Sequence, residues 1–295
     1  MKKKSLYHRK KGMTNLFYIP AIILFLVFII YPFLEGIRIS FTNWNGYSQE
    51  YKYVGLKNYI KMIHDSNMFV ALKNTLIYGI GSTVIQNVLG LAYALLLNSK
   101  IKGRTVIRTI VYAPVLISGL VMGYIMYFLV QYDHGAINDL MTIFGNEAID
   151  WMNNGNRAVI IMTVINSLQY VGISMVIYLA GLQNISAQYY EAAAIDGASV
   201  WQKFRYITKP LLIPAVSSSV TLNLIGGLKL FDIIQSLTKG GPGYSSHSLS
   251  TLITNQYFNA TNAGYSATIG LFSFILIMIL SSILTSYFNK KEVYV

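Results

Sequence analysis

The stretch Tyr190-Glu191-Ala192-Ala193-Ala194-Ile195-Asp196-Gly197, followed by Ile207-Thr208-Lys209-Pro210, is a polar, helix-forming insert between two long apolar runs, residues 158–182 and 211–228. Ser186 has the chemistry of a helix N-cap, and 187–196 are mostly good helix formers. Gly197 supplies the left-handed residue that commonly ends a helix. Ser199 and Gln202 have the spacing of a capping box that starts a second helix, along which Trp201, Phe204 and Ile207 form one apolar stripe. Pro210 is expected to limit that helix, because the residue before proline disfavours the α region. The segment 186–210 therefore predicts a helix–turn–helix lying across the ends of membrane spans. A loop so placed can couple a membrane domain to a soluble engine.

Moving outward from this loop, the chain is 54% hydrophobic and 12% charged, with a mean hydropathy of +0.48. A soluble domain carries about 25% charged residues, so this chain lacks the polar surface to cover a water-soluble globule. Six runs are long enough for the roughly 20 residues a bilayer core requires: 16–34, 75–97, 110–130, 158–182, 211–228 and 265–288. None contains Asp, Glu, Lys, Arg or His. The expectation is an all-α integral membrane protein with six transmembrane helices. The first run is longer than a signal-peptide core and no A-x-A site follows it, which argues against cleavage. With no repeat, low-complexity run or linker, the expected organisation is a basic tail (1–15), one transmembrane domain (16–288) and a short tail (289–295).

The formal net charge of +12 is placed as a membrane protein places it rather than as a nucleic-acid binder does. Lys2, Lys3, Lys4, Arg9, Lys10 and Lys11 precede the first run, and 15 of the 23 Lys and Arg fall on the side of the N-terminus if every run crosses. Positive residues are retained inside, so both termini and the 186–210 loop are expected to be cytoplasmic. Between the first two runs, Leu56, Tyr59, Ile60 and Ile63 recur at helical spacing, the pattern of a short helix on the membrane surface.

Little here is enzymatic. Cysteine is absent, and His8, His64, His134 and His247 are scattered without metal-ligand spacing, as solvated loop histidines. No metal site, nucleophile–base set or phosphate loop is present; Gly240-Gly241-Pro242-Gly243 lacks the G-K-S/T ending and reads as a tight turn. A proton-coupled transporter would place acids or histidines within its spans, and the apolar runs hold none. For the loop helix, physical chemistry alone leaves two roles open: an interfacial anchor, or a docking element whose Ala192–Ala194 surface lets another protein approach closely while Glu191 and Asp196 offer charge.

The pattern Glu191-Ala192-Ala193, Gly197, Ile207, Pro210 resembles the coupling loop of binding-protein-dependent ABC importer permeases; Lys209 departs from it, standing where the family usually has Leu. Three further segments resemble the carbohydrate branch, in particular the larger subunit of maltose permeases: Tyr53-Val54-Gly55-Leu56-Lys57-Asn58-Tyr59, Leu72-Lys73-Asn74-Thr75-Leu76, and Leu237-Thr238-Lys239-Gly240-Gly241-Pro242-Gly243. The resemblance implies a type I importer transmembrane domain in a bacterial cytoplasmic membrane. Its implied partners are a homologous second permease, two ATPase subunits that hold ATP and magnesium, and an external solute-binding protein. This chain would itself hold no cofactor, and Glu191, Ala192, Ala193, Asp196, Gly197, Ile207 and Pro210 would belong to the ATPase-coupling loop. A sugar needs neutral amides and an aromatic face, which Asn166/Gln169/Tyr170 and Asn223/Lys229/Phe231 supply. Asn166 matches a sugar-contacting position, whereas Gly227 and Leu230 fall where the relative has amides, so the contacts must differ. The alternative for every such amide is a bond between helices, and this is the reading preferred for Gln86 and Asn87. The cargo stays open between an oligosaccharide such as an α-galactoside, a monosaccharide and glycerol phosphate.

Overall fold

The computed structural model describes residues 18–99 and 101–291. The basic tail 1–15, the start of the first apolar run, Lys100 and the last four residues lie outside the described residues. Regular structure among those described is helical, apart from one antiparallel bridge, Thr42–Tyr53. Contacts divide the chain into two compact units, the described part of Met1–His64 with Asn255–Leu271, and Asp65–Thr254 with the remainder of the C-terminal helix.

In the first unit, α1 (Tyr18–Ser40) is almost wholly exposed along its apolar length. It outruns the apolar stretch by two turns, on which Glu35 and Arg38 pair at 2.7 Å. The short helix α2 (Lys57–His64) turns Leu56, Ile60 and Ile63 outward, while Tyr59 bonds Ser40 across 2.8 Å. Asn58 explains much of the segment 53–59: its Nδ2 donates to the carbonyls of Ser40 and Thr42 at 2.8 Å each, satisfying backbone that the end of α1 leaves open.

The second unit begins with α3 (Ser66–Asn98), started by Asp65, whose side chain accepts from Asn67 N–H at 2.9 Å. Next come α4 (Arg104–Leu116), α5 (Gly119–Val130) and α6 (Ala136–Ile143). The axis of the unit is α7 (Gly155–Gln183), capped by Asn154. The loop helices α8 (Ala187–Ile195) and α9 (200–211) lead to α10 (Ile213–Leu228), α11 (Asp232–Leu237) and α12 (Leu249–Thr254). The final helix α13 (Ala263–Asn289) runs from the first unit into the second. Two apolar clusters grip the ends of α7: Met162 and Ile165 with Met122, Ile233 and Ile234, and Met175, Tyr178 and Leu182 with Ala94, Leu97 and Leu212.

Among the described residues, five helices are long and apolar enough to cross a membrane, and α4 with α5 makes a sixth if that pair counts as one span. The run 110–130 is not a straight helix. Ile117 and Ser118 are extended, and the axes of α4 and α5 differ by 101°. Proline at position 114 and the glycine that opens α5 favour a break here, and Gln169 Nε2 donates to the freed Ile117 carbonyl at 3.0 Å. The fifth span also differs from expectation. It does not end at Leu228 but resumes as α11, so Ile213–Leu237 contains Lys229 and Asp232, and the expectation of charge-free spans is corrected.

Pro210 does not end its helix. Lys209 is α-helical (φ −59°, ψ −50°), and the helix stops only at Leu212. A π turn, Phe204–Thr208, precedes Pro210 by two residues, as another, Leu26–Ile30, precedes Pro32. In each case the carbonyl four residues before proline, the one its ring would strike, belongs to the widened turn, so the helix continues without that clash.

The glycine-rich turn is clamped by α3. Asn74 Nδ2 donates to the carbonyls of Ser245 (2.8 Å) and His247 (3.1 Å), and Thr75 Oγ1 accepts from Leu249 N–H at 2.8 Å. His247 is therefore no solvated loop residue: it is 3% exposed, against Gly240 and Tyr244, with Nδ1 at 2.9 Å from Thr251 Oγ1. Burial disfavours its cation and lowers its pKa from the usual 6.5. Below that value the unfolded chain takes up a proton that the folded one resists, so stability is full above pH 6.5 and falls as pH drops, by up to about 1.4 kcal/mol per pH unit. We expect the apparent Tm of the purified protein to fall between pH 7.5 and 5.5, with a shallower fall in His247→Gln. Equal slopes in the two proteins would refute this role for His247.

Candidate functional site

Two sites emerge, a surface loop and an intramembrane cavity. In the loop, Ser186 Oγ accepts from Gln188 N–H at 3.4 Å to start α8. At its end Gly197 N–H bonds the Ala194 carbonyl (3.1 Å), Ala198 N–H bonds that of Ala193 (2.8 Å), and Gly197 has φ +76°. This pair of bonds is a Schellman motif and requires the left-handed residue. Ser199 and Gln202 then form a reciprocal capping box (2.7 and 3.3 Å) that starts α9. A strut the sequence did not reveal, Tyr190 Oη to Thr208 Oγ1 at 2.9 Å, ties the two helices together.

The predicted loop residues separate into two sets. Glu191, Ala192, Asp196 and Gly197 are exposed, whereas Ala193, Ile207 and Pro210 are half-buried. Ile195 (88% exposed) and Val200 (86%) stand beside Trp201 and Tyr206 as outward apolar groups flanking the turn. Trp201 stacks on Phe204 with ring centroids 5.7 Å apart. Apolar side chains so displayed next to carboxylates make a surface able to bury itself against another protein.

The cavity, about 380 Å³, opens where α7 faces the break between α10 and α11. It brings together all seven residues singled out as substrate candidates: Asn166, Gln169 and Tyr170 from α7, and Asn223, Gly227, Lys229 and Phe231 from the fifth span. The i, i+3, i+4 spacing of the first three accounts for their common face. Gln86, Gly119 and Asp232 line it too. Asp232 escaped attention because the span seemed to stop at Leu228; the apolar residues resuming at Ile233, Ile234 and Leu237 were the available signal.

Not every lining residue is uncommitted. Asn223 Nδ2 donates to Ser174 Oγ at 2.6 Å, an interhelical bond of the kind weighed as the alternative. Asn87 belongs wholly to the bundle, donating to the Thr83 carbonyl (2.7 Å) and accepting from Tyr178 Oη (2.6 Å). Gly227 acts by its lack of a side chain: a Cβ there would lie 2.6 Å from Ser82 Oγ and 2.9 Å from Gly79 Cα.

Gln86 and Gln169 are more informative. Gln86 Nε2 donates to the Asn166 carbonyl at 3.1 Å, and Gln169 Nε2 to that of Ile117. A backbone carbonyl only accepts, so the amide NH2 must face it and the amide oxygen is left over. Both Oε1 atoms are buried without a hydrogen-bond partner among the described residues, at about 1–3 kcal/mol each.

Residues 86–293 match the model of a family described as "binding-protein-dependent transport system inner membrane component". The chain is 35% identical over 277 residues to a multiple sugar-binding transport system permease protein of Streptococcus mutans, covering 94% of this chain and 95% of the relative. It is 32% identical to a probable starch degradation products transport system permease protein of Thermoanaerobacterium thermosulfurigenes, covering 99% of each. With a trehalose/maltose transport system permease protein of Thermococcus litoralis it shares 32% identity over 92% of each chain. Among solved structures, a bacterial ABC transporter that imports the acidic polysaccharide alginate superposes with a TM-score of 0.82 at 20% identity, over 98% of this chain and 99% of that one, a likeness of fold.

Proposed function

Because the chain belongs to the family of binding-protein-dependent transport inner membrane components, we propose that it forms half of a sugar pathway and takes a saccharide into the α7–α10–α11 cavity. It is a multi-pass inner membrane permease subunit of an ABC importer; hydrolysis of ATP resides in a separate subunit, and the permease component carries no cofactor. The observation that carries the sugar reading is the meeting of Asn166, Gln169, Tyr170, Asn223 and Phe231 around one cavity. Neutral amides with an aromatic wall are what a polyhydroxylated ring requires. The relatives' descriptions, naming starch degradation products, multiple sugars and trehalose/maltose, support the same class.

The partners follow from exposed surface. The 186–210 loop docks an ATPase subunit through Glu191, Ala192, Asp196 and the apolar groups beside Gly197; the family resemblance favours this over a purely interfacial anchor. The apolar faces left open on α1 and α13 meet lipid and a homologous permease. Two ATPase subunits and an external solute-binding protein complete the importer. The excess of basic residues on one side of the spans supports cytoplasmic termini and a cytoplasmic loop.

The test is reconstitution with the partner permease, ATPase and binding protein, measuring uptake across a panel of sugars. One sugar is expected to drive uptake, and Asn166→Ala to reduce it roughly tenfold, the value of one lost hydrogen bond. If no sugar drives uptake while the complex hydrolyses ATP in response to another solute, the reading is wrong.

A further inference from the structure

A second cleft lies apart from the α7–α10–α11 cavity. The glycine-rich turn closes over the first turns of α3 and α7 and leaves a space of about 350 Å³. The turn is firmly seated: Asn74 holds its Ser245 and His247 carbonyls, and a Cβ on Gly155 would lie 2.2 Å from Ser245 Oγ. Tyr244 leans on buried His247, ring centroids 5.2 Å apart, and keeps 38% of its surface open. Asn67 and Lys73 from α3 and Asn156 from α7 face the same space, with Val70 and Pro242 as its apolar part. Among the described residues, the side chains of Asn67, Lys73 and Asn156 have no hydrogen-bond or ion-pair partner. Asn74 differs, because its NH2 is spent on the turn.

Two helices give the depth of this cleft. Asn156 precedes Asn166 of the cavity by ten residues on α7, and Asn74 precedes Gln86 by twelve on α3. At about 1.5 Å per residue, both place the cleft roughly 15–18 Å from the cavity. The 186–210 loop follows the opposite end of α7 at Gln183, so the cleft lies at the end of the spans remote from that loop. With the loop cytoplasmic, as read above, the cleft opens outside.

We propose that this cleft is a separate saccharide site, occupied by a sugar arriving from outside before it enters the cavity. The proposal rests on the saccharide reading and the orientation given above. Free amides, an ammonium donor and a fixed aromatic ring in one concavity can hold the hydroxyls and the C–H face of a sugar. A protein side chain is the weaker occupant, since the core of a protein interface is apolar and depleted in charge. The cleft repeats the amide-and-aromatic chemistry of the cavity in a comparable volume, about 350 against about 380 Å³. A sugar leaving one site therefore finds similar partners in the other.

The chain has no cysteine, so one introduced thiol reports on one place in it. In the assembled permease–ATPase complex in nanodiscs, without binding protein, maleimide labelling of Asn156→Cys is timed with and without maltose, maltotriose or raffinose. The sugar that drives uptake should slow labelling at least threefold. Asn146→Cys, exposed in the loop between α6 and α7 and outside the lining, should label as before. Protection should persist in Asn166→Ala, which alters the cavity and leaves the cleft. Asn67→Ala with Lys73→Ala, both surface changes, should raise the sugar concentration for half protection by about threefold to tenfold. Affinity of the complex for the binding protein should stay unchanged in that double variant. No protection by a sugar that drives uptake would overturn the proposal and leave the saccharide reading standing. So would protection that vanishes in Asn166→Ala, which puts the sugar in the cavity alone. A double variant that loses binding-protein affinity and keeps its protection would also overturn it, making the cleft a docking surface. If no sugar drives uptake and none protects, both readings fall.

Discussion

Gly197→Val is expected to reduce binding-protein-stimulated ATP hydrolysis by roughly tenfold or more while leaving the folded bundle intact. No atom lies within 4 Å of where a Cβ at Gly197 would sit, so the effect cannot be a clash. It is a backbone effect. With φ at +76°, the Schellman bonds from Gly197 and Ala198 exist only while this residue is left-handed. That conformation costs an L residue about 1–2 kcal/mol, and a β-branched one more. Spread over the whole bundle such a penalty is tolerable; concentrated in one turn, it shifts most molecules to another loop geometry. The displaced part is α8, with Glu191 and Ala192 on its exposed side, so the docking proposed for it on an ATPase subunit would be lost. Gly197→Asn is the informative control, since asparagine tolerates the left-handed region, and should keep most of the activity. Complex assembly and apparent Tm are measured alongside. A valine variant that couples as well as wild type would remove Gly197 from the transmission path.

A larger structural effect is expected one span later. Gly227→Val should prevent recovery of folded, monodisperse protein, whereas Gly226→Ala, one residue away, should be harmless. A Cβ on Gly227 would lie 2.6 Å from Ser82 Oγ, and 2.9 Å from both Gly79 Cα and the Tyr78 carbonyl oxygen. Two of those three atoms are backbone and cannot rotate aside. The reciprocal position is equally close, because a Cβ on Gly79 would meet Leu228 Cδ2 at 2.6 Å. Here α10 presses on the π turn Ile77–Gly81 of α3, the close small-residue contact by which helices associate in lipid. Overpacking costs about 1–3 kcal/mol where side chains can adjust, and more against rigid backbone. Gly226 has nothing within 4 Å of its Cβ site and faces the cavity. Similar yields from the two variants would refute the contact. Gly227 thus shapes the cavity by letting two helices meet, and offers a substrate little directly.

What could be read in advance follows range of interaction. The loop was legible almost to the residue, because Ser186, Gly197, Ser199 and Gln202 act on backbone groups within five positions of themselves. The seven cavity candidates could be chosen because an amide in an apolar run stands out, and because spacing on α7 fixes a common face. The break at Ile117–Ser118 was not legible. Proline and glycine occur nearby, but the bend is held by Gln169, 52 positions downstream. Asp232 was missed for a related reason: three irregular residues, 229–231, looked like the end of a span when they are a kink within one. His247 looked solvated because its enclosure by Gly240 and the α3-clamped turn depends on Asn74, more than 170 positions away.

By itself, then, the sequence determined that this is a helical membrane protein with a capped helix–turn–helix between its fourth and fifth spans, since hydropathy, periodicity and capping are local properties of consecutive residues. Only the tertiary structure decided where the third span bends, that the fifth continues past Lys229, and that Gln86, Gln169 and Asp232 line one cavity. Those outcomes depend on which buried donor reaches which freed carbonyl, and such pairings exist only once distant helices have packed.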